Sequence, residues 1–284
     1  TEKTIENNLD GATPVQFADI DSDGDLDVIG GGYFADQIKW YANDGKANST
    51  FTSNVIGSNI DGPVELKTGD IDNDGDLDII SVSQNDDKLV WFESDVASNN
   101  DTAIMAQVGD DYASTNGTLS FSPGETSKTF NVIISEDLIP ENNETVQLTL
   151  SNPSNTTISD ATGAVVITDD DGIKWDTNTL TTSADGAYDV HVADMDNDGD
   201  MDIVASSIHD DTIRWFESNG NINPTFTVAT IATNADHVRE ITVADMDHDG
   251  DLDILSASEN DGSIAWYENN GAADPTFTKA VITT

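Results

Sequence analysis

The sequence predicts an all-β protein: four β-propeller blades of about 51 residues, with an antiparallel β-sandwich inserted into the second. Three observations carry that prediction. An acidic nine-residue pattern recurs four times without a gap. A tryptophan follows each copy at a fixed distance, and the stretches between read as short strands, not as helices.

The acidic copies are DIDSDGDLD from Asp19, DIDNDGDLD from Asp70, DMDNDGDMD from Asp194 and DMDHDGDLD from Asp245. In each, a tryptophan stands 21 residues after the first aspartate: Trp40, Trp91, Trp215 and Trp266, each opening a WY or WF pair. Repeats of this length are the signature of stacked units that bury one another's faces. The repeating tryptophans are accordingly expected in the core between blades.

The first two copies begin 51 residues apart, as do the last two, but the middle spacing is 124, an excess of 73. Eleven residues past the tryptophan, three units carry Phe51, Phe226 and Phe277. The second unit has Thr102 there, and Trp175 takes the position once the 73 extra residues are set aside. The insertion therefore falls between the third and fourth strands of unit two. Residues 1–94 form a propeller strand, blade one and the first part of blade two. Residues 95–172 form the inserted sandwich, and 173–284 the last strand of blade two with blades three and four.

Within a unit, VREITVAD, LDILSASE, SIAWYENN and TFTKAVIT are β-branched or aromatic runs separated by Asp, Asn and Gly turns. No helical period runs through them. Four strands per repeat fit a propeller blade; the coils of a β-helix are usually much shorter. Aligned on the acidic loops, Thr1 to Ile5 correspond to Thr227 to Ile231, so an additional outer strand is expected at the start of the chain. Three arrangements accommodate it: an excised part of a longer array, a compact four-bladed ring, or blades completed by another chain.

Composition narrows the function. The 284 residues carry 55 acidic against 10 basic side chains, a formal charge of −45, with 36% hydrophobic residues. Such a field repels nucleic acid and anionic membranes and gathers cations. The apolar content exceeds that of a disordered acidic tail. With no cysteine, neither disulfides nor thiolate metal sites arise. No apolar run approaches the length of a membrane span. The chain opens TEKTIENN, without an initiating Met or signal-peptide pattern, and reads as part of a longer chain or assembly.

The acidic loops are candidate metal centres. In the first, carboxylates at positions 1, 3, 5 and 9 (Asp19, Asp21, Asp23, Asp27) can fold around one ion, with the backbone carbonyl of Asp25 at position 7 and Gly24 permitting the sharp turn. The equivalents are Asp70, Asp72, Asp74, Asp76 and Asp78; Asp194, Asp196, Asp198, Asp200 and Asp202; and Asp245, Asp247, Asp249, Asp251 and Asp253. Hard oxygen donors in this number select Ca²⁺ over Mg²⁺. An EF-hand needs Glu at position 12, where this chain has Gly30, Ser81, Ala205 and Ser256, and strand-like residues follow where an EF-hand has a helix. The bland alternative is that these aspartates only form solvated turns. Five at alternate positions would then repel one another with no cation to offset it.

The DxDxDGxxD loop in a strand–loop–strand setting resembles FG-GAP/VCBS-type repeats, the propeller blades of integrin α-subunits and of many bacterial surface and secreted proteins. That resemblance implies calcium ligation by positions 1, 3, 5 and 9 with the position 7 carbonyl. It also implies rings usually of seven blades, where four are visible here. The insertion is similar to the later part of a Calx-beta domain, an antiparallel β-sandwich that binds Ca²⁺ in some members. By that resemblance Asp111, Glu136, Asp137, Asp169, Asp170 and Asp171 are candidate ligands for a further site. The family's opening strands are not recognisable, and the DDD run reads equally as a polar hinge.

Because the acidic loop joins strands 1 and 2 and the insertion joins strands 3 and 4, both are expected at one end of the sheets. Ligand-binding residues are expected at the other, where the units differ: Tyr33, Phe34, Tyr188, His209, His237 and Arg239. The expected function is an extracellular or cell-surface, secreted calcium-binding module for adhesion or for a glycan or protein ligand. The alternatives are a stalk or surface-layer component, or the propeller part of a calcium-dependent polysaccharide-degrading enzyme. Scattered histidines and the absence of cysteine give no catalytic cluster, so no enzyme activity is expected.

Overall fold

Alternating apolar residues between Asp/Asn/Gly turns give short strands throughout. The computed structural model describes residues 2–95, 108, 112–114, 116–135, 144–167 and 173–283, and within them every regular element is a β-strand. Sheet one contains β1 (Ala12–Ala18), β2 (Asp27–Gly32), β3 (Gln37–Asn43) and β4 (Phe51–Ser58). Sheet two begins with β5 (Pro63–Gly69), β6 (Asp78–Ser83) and β7 (Lys88–Asp95). The chain then forms β8 (Tyr112–Ala113), β9 (Ile133–Ile134), β10 (Glu144–Thr149) and β11 (Thr162–Ile167), and returns as β12 (Lys174–Thr181) to complete sheet two beside β7. Sheet three comprises β13 (Ala187–Ala193), β14 (Asp202–Ser207), β15 (Thr212–Glu217) and β16 (Thr227–Ala232). Sheet four comprises β17 (Val238–Ala244), β18 (Asp253–Ser258), β19 (Ile264–Asn269) and β20 (Phe277–Thr283).

Two compact units result, 1–95 with 175–284, and 96–174. In the first, the four sheets share one up-and-down order, and the opening strands β1, β5, β13 and β17 pack one on the next. The register explains the core. Trp215 pairs with Val204 and Ala229, which puts all three on one face of sheet three. That face, with Met195 and Ile213, packs against Val238, Ile241, Ile254, Ala265 and Tyr267 of sheet four. Trp91, Ile80 and Val82 of sheet two meet Val190, Ile203 and Phe216 of sheet three in the same way. Sheets two and three thus each offer a tryptophan face to the sheet after them, and sheets three and four each offer the residue following the tryptophan to the sheet before them. Trp40, Trp91 and Trp215 are buried, whereas Trp266 is only partly covered.

The turns between second and third strands stitch the sheets together. Asp36, Asp87 and Asp211 sit at positive φ, and their carbonyls accept the N–H of Ile60, Ala184 and Ala235 in the connection to the following sheet. Asx residues tolerate this left-handed region better than most.

One expectation is corrected. Residues 2–11 form no strand. Glu6 Oε1 instead accepts the N–H groups of Asn7 and Asn8, closing a turn, and Glu6 Oε2 pairs with Lys39 at 3.3 Å. Leu9 then lies on Gly30 and Gly32, where an added Cβ would stand 3.6 and 2.6 Å from it. In the second unit the described residues include two two-stranded ladders, β8 with β9 and β10 with β11. Leu119, Phe121, Phe130, Val146 and Leu148 line an open cleft of about 770 Å³ there.

Candidate metal loops and the opposite rim

Each acidic loop leaves a first strand and enters a second, so its ends are fixed 5 Å apart by a ladder of β-pairing. Between them the chain turns through two left-handed residues. Position 4 (Ser22, Asn73, Asn197, His248) has φ between 57° and 65°, and the glycine at position 6 (Gly24, Gly75, Gly199, Gly250) has φ between 94° and 105°. Nothing lies within 4 Å of a Cβ on those glycines, so backbone conformation alone demands glycine there.

This winding brings carboxylates together. One oxygen each from Asp19, Asp21 and Asp23 lies within 4.8 Å of the other two, and the same holds for Asp70, Asp72 and Asp74, for Asp194, Asp196 and Asp198, and for Asp245, Asp247 and Asp249. Carboxylate oxygens also hold the loop. Asp194 Oδ2 accepts the N–H of Gly199 at 3.0 Å and Asp198 Oδ1 that of Asp200 at 2.9 Å, with matching bonds in the other loops. Asp19 Oδ1, Asp70 Oδ1 and Asp72 Oδ2 are buried and have no hydrogen-bond donor. A buried carboxylate oxygen facing other carboxylates is costly unless a cation completes it. Burial pushes the Asp72 carboxyl up to about 7, with the charge of Asp74 adding to it. Asp21 rises to about 6 through burial, then Asp27 and Asp23. Only oxygen donors are present, and they are preorganised; the triads can hold a metal ion.

The remaining loop aspartates make further contacts. Position 9 is fully buried and outside the triads. Asp27, Asp78, Asp202 and Asp253 each accept, on one oxygen, the N–H of position 2 of their own loop at 2.9 to 3.1 Å. Their other oxygen accepts an N–H at or just past the third strand, from Asn43, Ser94, Ser218 or Asn269, at 2.8 to 2.9 Å. They bracket the loop to the sheet, and burial pushes Asp78 up to about 8 and Asp202 to about 7. Position 7 turns away from the triad. The carboxylates of Asp25, Asp200 and Asp251 fill the space above Gly45, Gly220 and Gly271, all at φ near 62°, where a Cβ would stand 1.7 to 2.0 Å from them.

The chain leaves sheet two at Asp95, next to Ser94, whose N–H meets Asp78. The insertion therefore departs from the acidic-loop end, as strand direction requires. The insert's candidate ligands Asp111, Glu136, Asp137, Asp169, Asp170 and Asp171 lie outside the described residues.

At the opposite end, four residues singled out by repeat comparison converge. Arg239 stacks on Tyr188 at 4.8 Å and donates from Nε to Glu259 Oε2 at 2.6 Å. His237 Nε2 stands 3.5 Å from the same oxygen, and the His209 and His237 rings are 6.4 Å apart. His209 Nδ1 meets Asp185 at 3.2 Å, and His237 Nδ1 the carbonyl of Ile208 at 3.1 Å. Asp185 and Glu259 were not foreseen, being ordinary turn acids in sequence. His237 is the more telling case. It occupies, at φ 58°, the left-handed position held by Gly11, Gly62 and Gly186 in the other repeats. Glycine adopts this region without strain, whereas a histidine does so less readily. Tyr33 and Phe34 meet edge to face at 5.0 Å, and Tyr33 donates its hydroxyl to Asn85 at 3.0 Å, while Phe34 is exposed.

Comparison with known proteins gives two family matches. The FG-GAP-like repeat model matches residues 19–81 and 204–256, and the Calx-beta domain model matches residues 73–171. The Calx-beta match starts inside the second repeat, since β6 and β7 belong to sheet two. No curated protein matches. Among solved structures, the chain is similar to a putative 6-phosphogluconolactonase from Bacteroides uniformis ATCC 8492, at 14% identity and a TM-score of 0.45. That alignment covers 94% of this chain and 54% of the other, so the chain spans about half its length. At that TM-score the likeness assigns neither fold nor activity.

Proposed function

We propose, for a chain that carries FG-GAP-like repeats and a Calx-beta segment, that the four aspartate triads hold Ca²⁺ and rigidify an extracellular binding module. The observation that carries this reading is the set of four convergent triads, two of which hold buried oxygens that lack a donor. Calcium fits better than magnesium because several protein carboxylates converge on one point, an arrangement that the smaller, water-retaining ion does not favour. Four bound ions would move the formal charge from −45 to −37. The four sheets are read as propeller blades, since they share one strand order and stack through their opening strands.

The ligand face in this reading is the rim of Tyr188, His209, His237, Arg239 and Glu259, with Tyr33 and Phe34 at the corresponding turn of sheet one. An aromatic ring, a stacked guanidinium and paired carboxylates offer both the apolar faces and the hydrogen bonds that a glycan or a polar peptide needs. The module is read as non-enzymatic, because these groups are paired with one another and leave no poised nucleophile. An extracellular setting suits it, where calcium is plentiful enough to fill loops of this class. Among the described residues no helix is long and apolar enough to cross a membrane.

A glycan and peptide array probed with calcium-loaded protein tests the binding role. A hit lost on Arg239→Ala or Tyr188→Ala, with melting unchanged, supports it; hits indifferent to both substitutions count against the rim.

A further inference from the structure

The two histidines on the rim between sheets three and four are each held in one tautomer. His237 Nδ1 stands 3.1 Å from the carbonyl oxygen of Ile208, and a carbonyl only accepts, so Nδ1 carries the proton. His209 Nδ1 stands 3.2 Å from Asp185 Oδ1, and an ionised carboxylate likewise only accepts. In both neutral rings Nε2 is therefore the nitrogen with the lone pair. On His237 it lies 3.5 Å from Glu259 Oε2. A lone pair beside a carboxylate oxygen is repulsive unless a cation stands between them. A proton in that place would draw the two atoms to about 2.7–2.9 Å. Two donors of one tetrahedral ion, bonded to it at about 2.0–2.1 Å, stand about 3.4 Å apart. The observed spacing fits the ion. The backbone keeps it so, since the His237 N–H donates to Asp211 Oδ1 at 2.8 Å and the His237 carbonyl accepts the Glu259 N–H at 3.1 Å.

We propose that His237, Glu259 and His209 form a site for a divalent first-row metal ion, distinct from the acidic loops. Imidazole donors favour ions such as Zn²⁺, whereas Ca²⁺ takes oxygen. Two rings that share a tetrahedral ion through Nε2 stand about 5 Å apart, centroid to centroid. The His209 and His237 rings are 6.4 Å apart, and His209, with 52% of its side chain exposed, has room to turn and close the difference. The Ile208 carbonyl and Asp185 supply the outer hydrogen bonds that fix the tautomer of a metal-bound histidine. Arg239 Nε, 2.6 Å from Glu259 Oε2, orients the carboxylate. One guanidinium stands there against the two carboxylates of Asp185 and Glu259, so the surroundings favour a cation. Three protein donors leave a fourth position open to water or to an oxygen of a bound ligand. The inference shares the rim that is read above as the ligand face, but it does not depend on calcium in the loops.

Zinc calorimetry on the full chain in saturating calcium, which competes for the oxygen-only loops, tests the proposal together with His209→Ala, His237→Gly and Glu259→Gln. Glycine is the residue that three other repeats carry at the left-handed position of His237, so that variant keeps its fold, which unchanged melting in calcium verifies. One zinc site per chain is expected, and each substitution should weaken it by roughly tenfold or more. The absence of zinc uptake overturns the proposal, because the His237 and Glu259 contact is then made by a proton alone. Uptake that survives all three substitutions overturns it too, since the zinc then sits in the loops. Uptake lost with His237→Gly but unchanged in His209→Ala overturns the three-donor site. Calcium stoichiometry is titrated separately, so empty loops would refute the calcium reading and leave the zinc result standing.

Discussion

Asn73 Nδ2 donates to Asp200 Oδ1 at 2.8 Å, linking the acidic loop of sheet two to that of sheet three. Asn197 repeats the contact with Asp251 at 2.9 Å, linking the third loop to the fourth. In each case position 4 of one loop holds position 7 of the next. Ordering one loop around an ion therefore restrains its neighbour, and the centres are expected to fill cooperatively. Asn73→Ala and Asn197→Ala should leave the number of sites unchanged while making the calorimetric binding curve less steep. Each should also cost roughly 1 kcal/mol of stability. Unaltered steepness would show that the loops act independently.

Positions 5 and 9 of one loop should separate cleanly. Asp198 belongs to a triad, whereas Asp202 is a buried acceptor for two backbone N–H groups. Asp202→Ala strands both donors and should destabilise calcium-free and calcium-loaded protein alike, by about 2–4 kcal/mol. Asp198→Ala should lower only the increment that calcium adds. Denaturant melts with and without chelator read both.

The tryptophans should differ by place. Trp215→Ala opens a cavity between two sheets and should cost about 3–5 kcal/mol. Trp266→Ala, on a face no following sheet covers, should cost less than half as much in dilute protein. Equal losses would mean that Trp266 is covered in solution.

Asp189 supplies a pH test away from the loops. Its Oδ2 accepts the Ile241 N–H at 2.6 Å across the boundary between sheets three and four. Burial pushes its carboxyl up to about 6, with the nearby Glu240 and Glu65 adding to that and the Ile241 N–H and Lys67 opposing it. His191 beside it is pushed down, chiefly by burial. The folded state thus binds the Asp189 proton more tightly than the unfolded chain does. The stability it contributes is complete below about 4, the ordinary carboxylate value, and is lost as pH rises through about 6. Asp189→Asn keeps an acceptor and no charge. In saturating calcium, its stability should gain on the wild type between about pH 4 and 6, by an amount on the order of 2 kcal/mol. A gap independent of pH would show that the carboxyl titrates normally.

Much of this was legible in the sequence because the repeat repeats its chemistry. Aspartates at alternate positions around a glycine announce an ion loop in one dimension, and the fixed tryptophan announces the packing face. The Asn73 to Asp200 bridge was not legible, since it spans 127 positions and depends on how sheets stack. Nor were the two backbone bonds that position 9 accepts, because the spacing of an aspartate does not show which amides will meet it. Tyr188, His209, His237 and Arg239 stood out singly by departing from the repeat. That they meet needed the fold, although His237 at the glycine position was visible in the alignment. The opening segment misled because Thr1 to Ile5 imitate the composition of an outer strand. The Glu6 turn and the Lys39 pair hold it elsewhere.

The most direct test of the calcium account is a titration of chelator-stripped protein by calorimetry, with thermal melting followed in parallel. Four sites, one for each triad, and a melting temperature that climbs as they fill are the predicted result. A flat titration and a melting temperature indifferent to calcium and to chelator would contradict it.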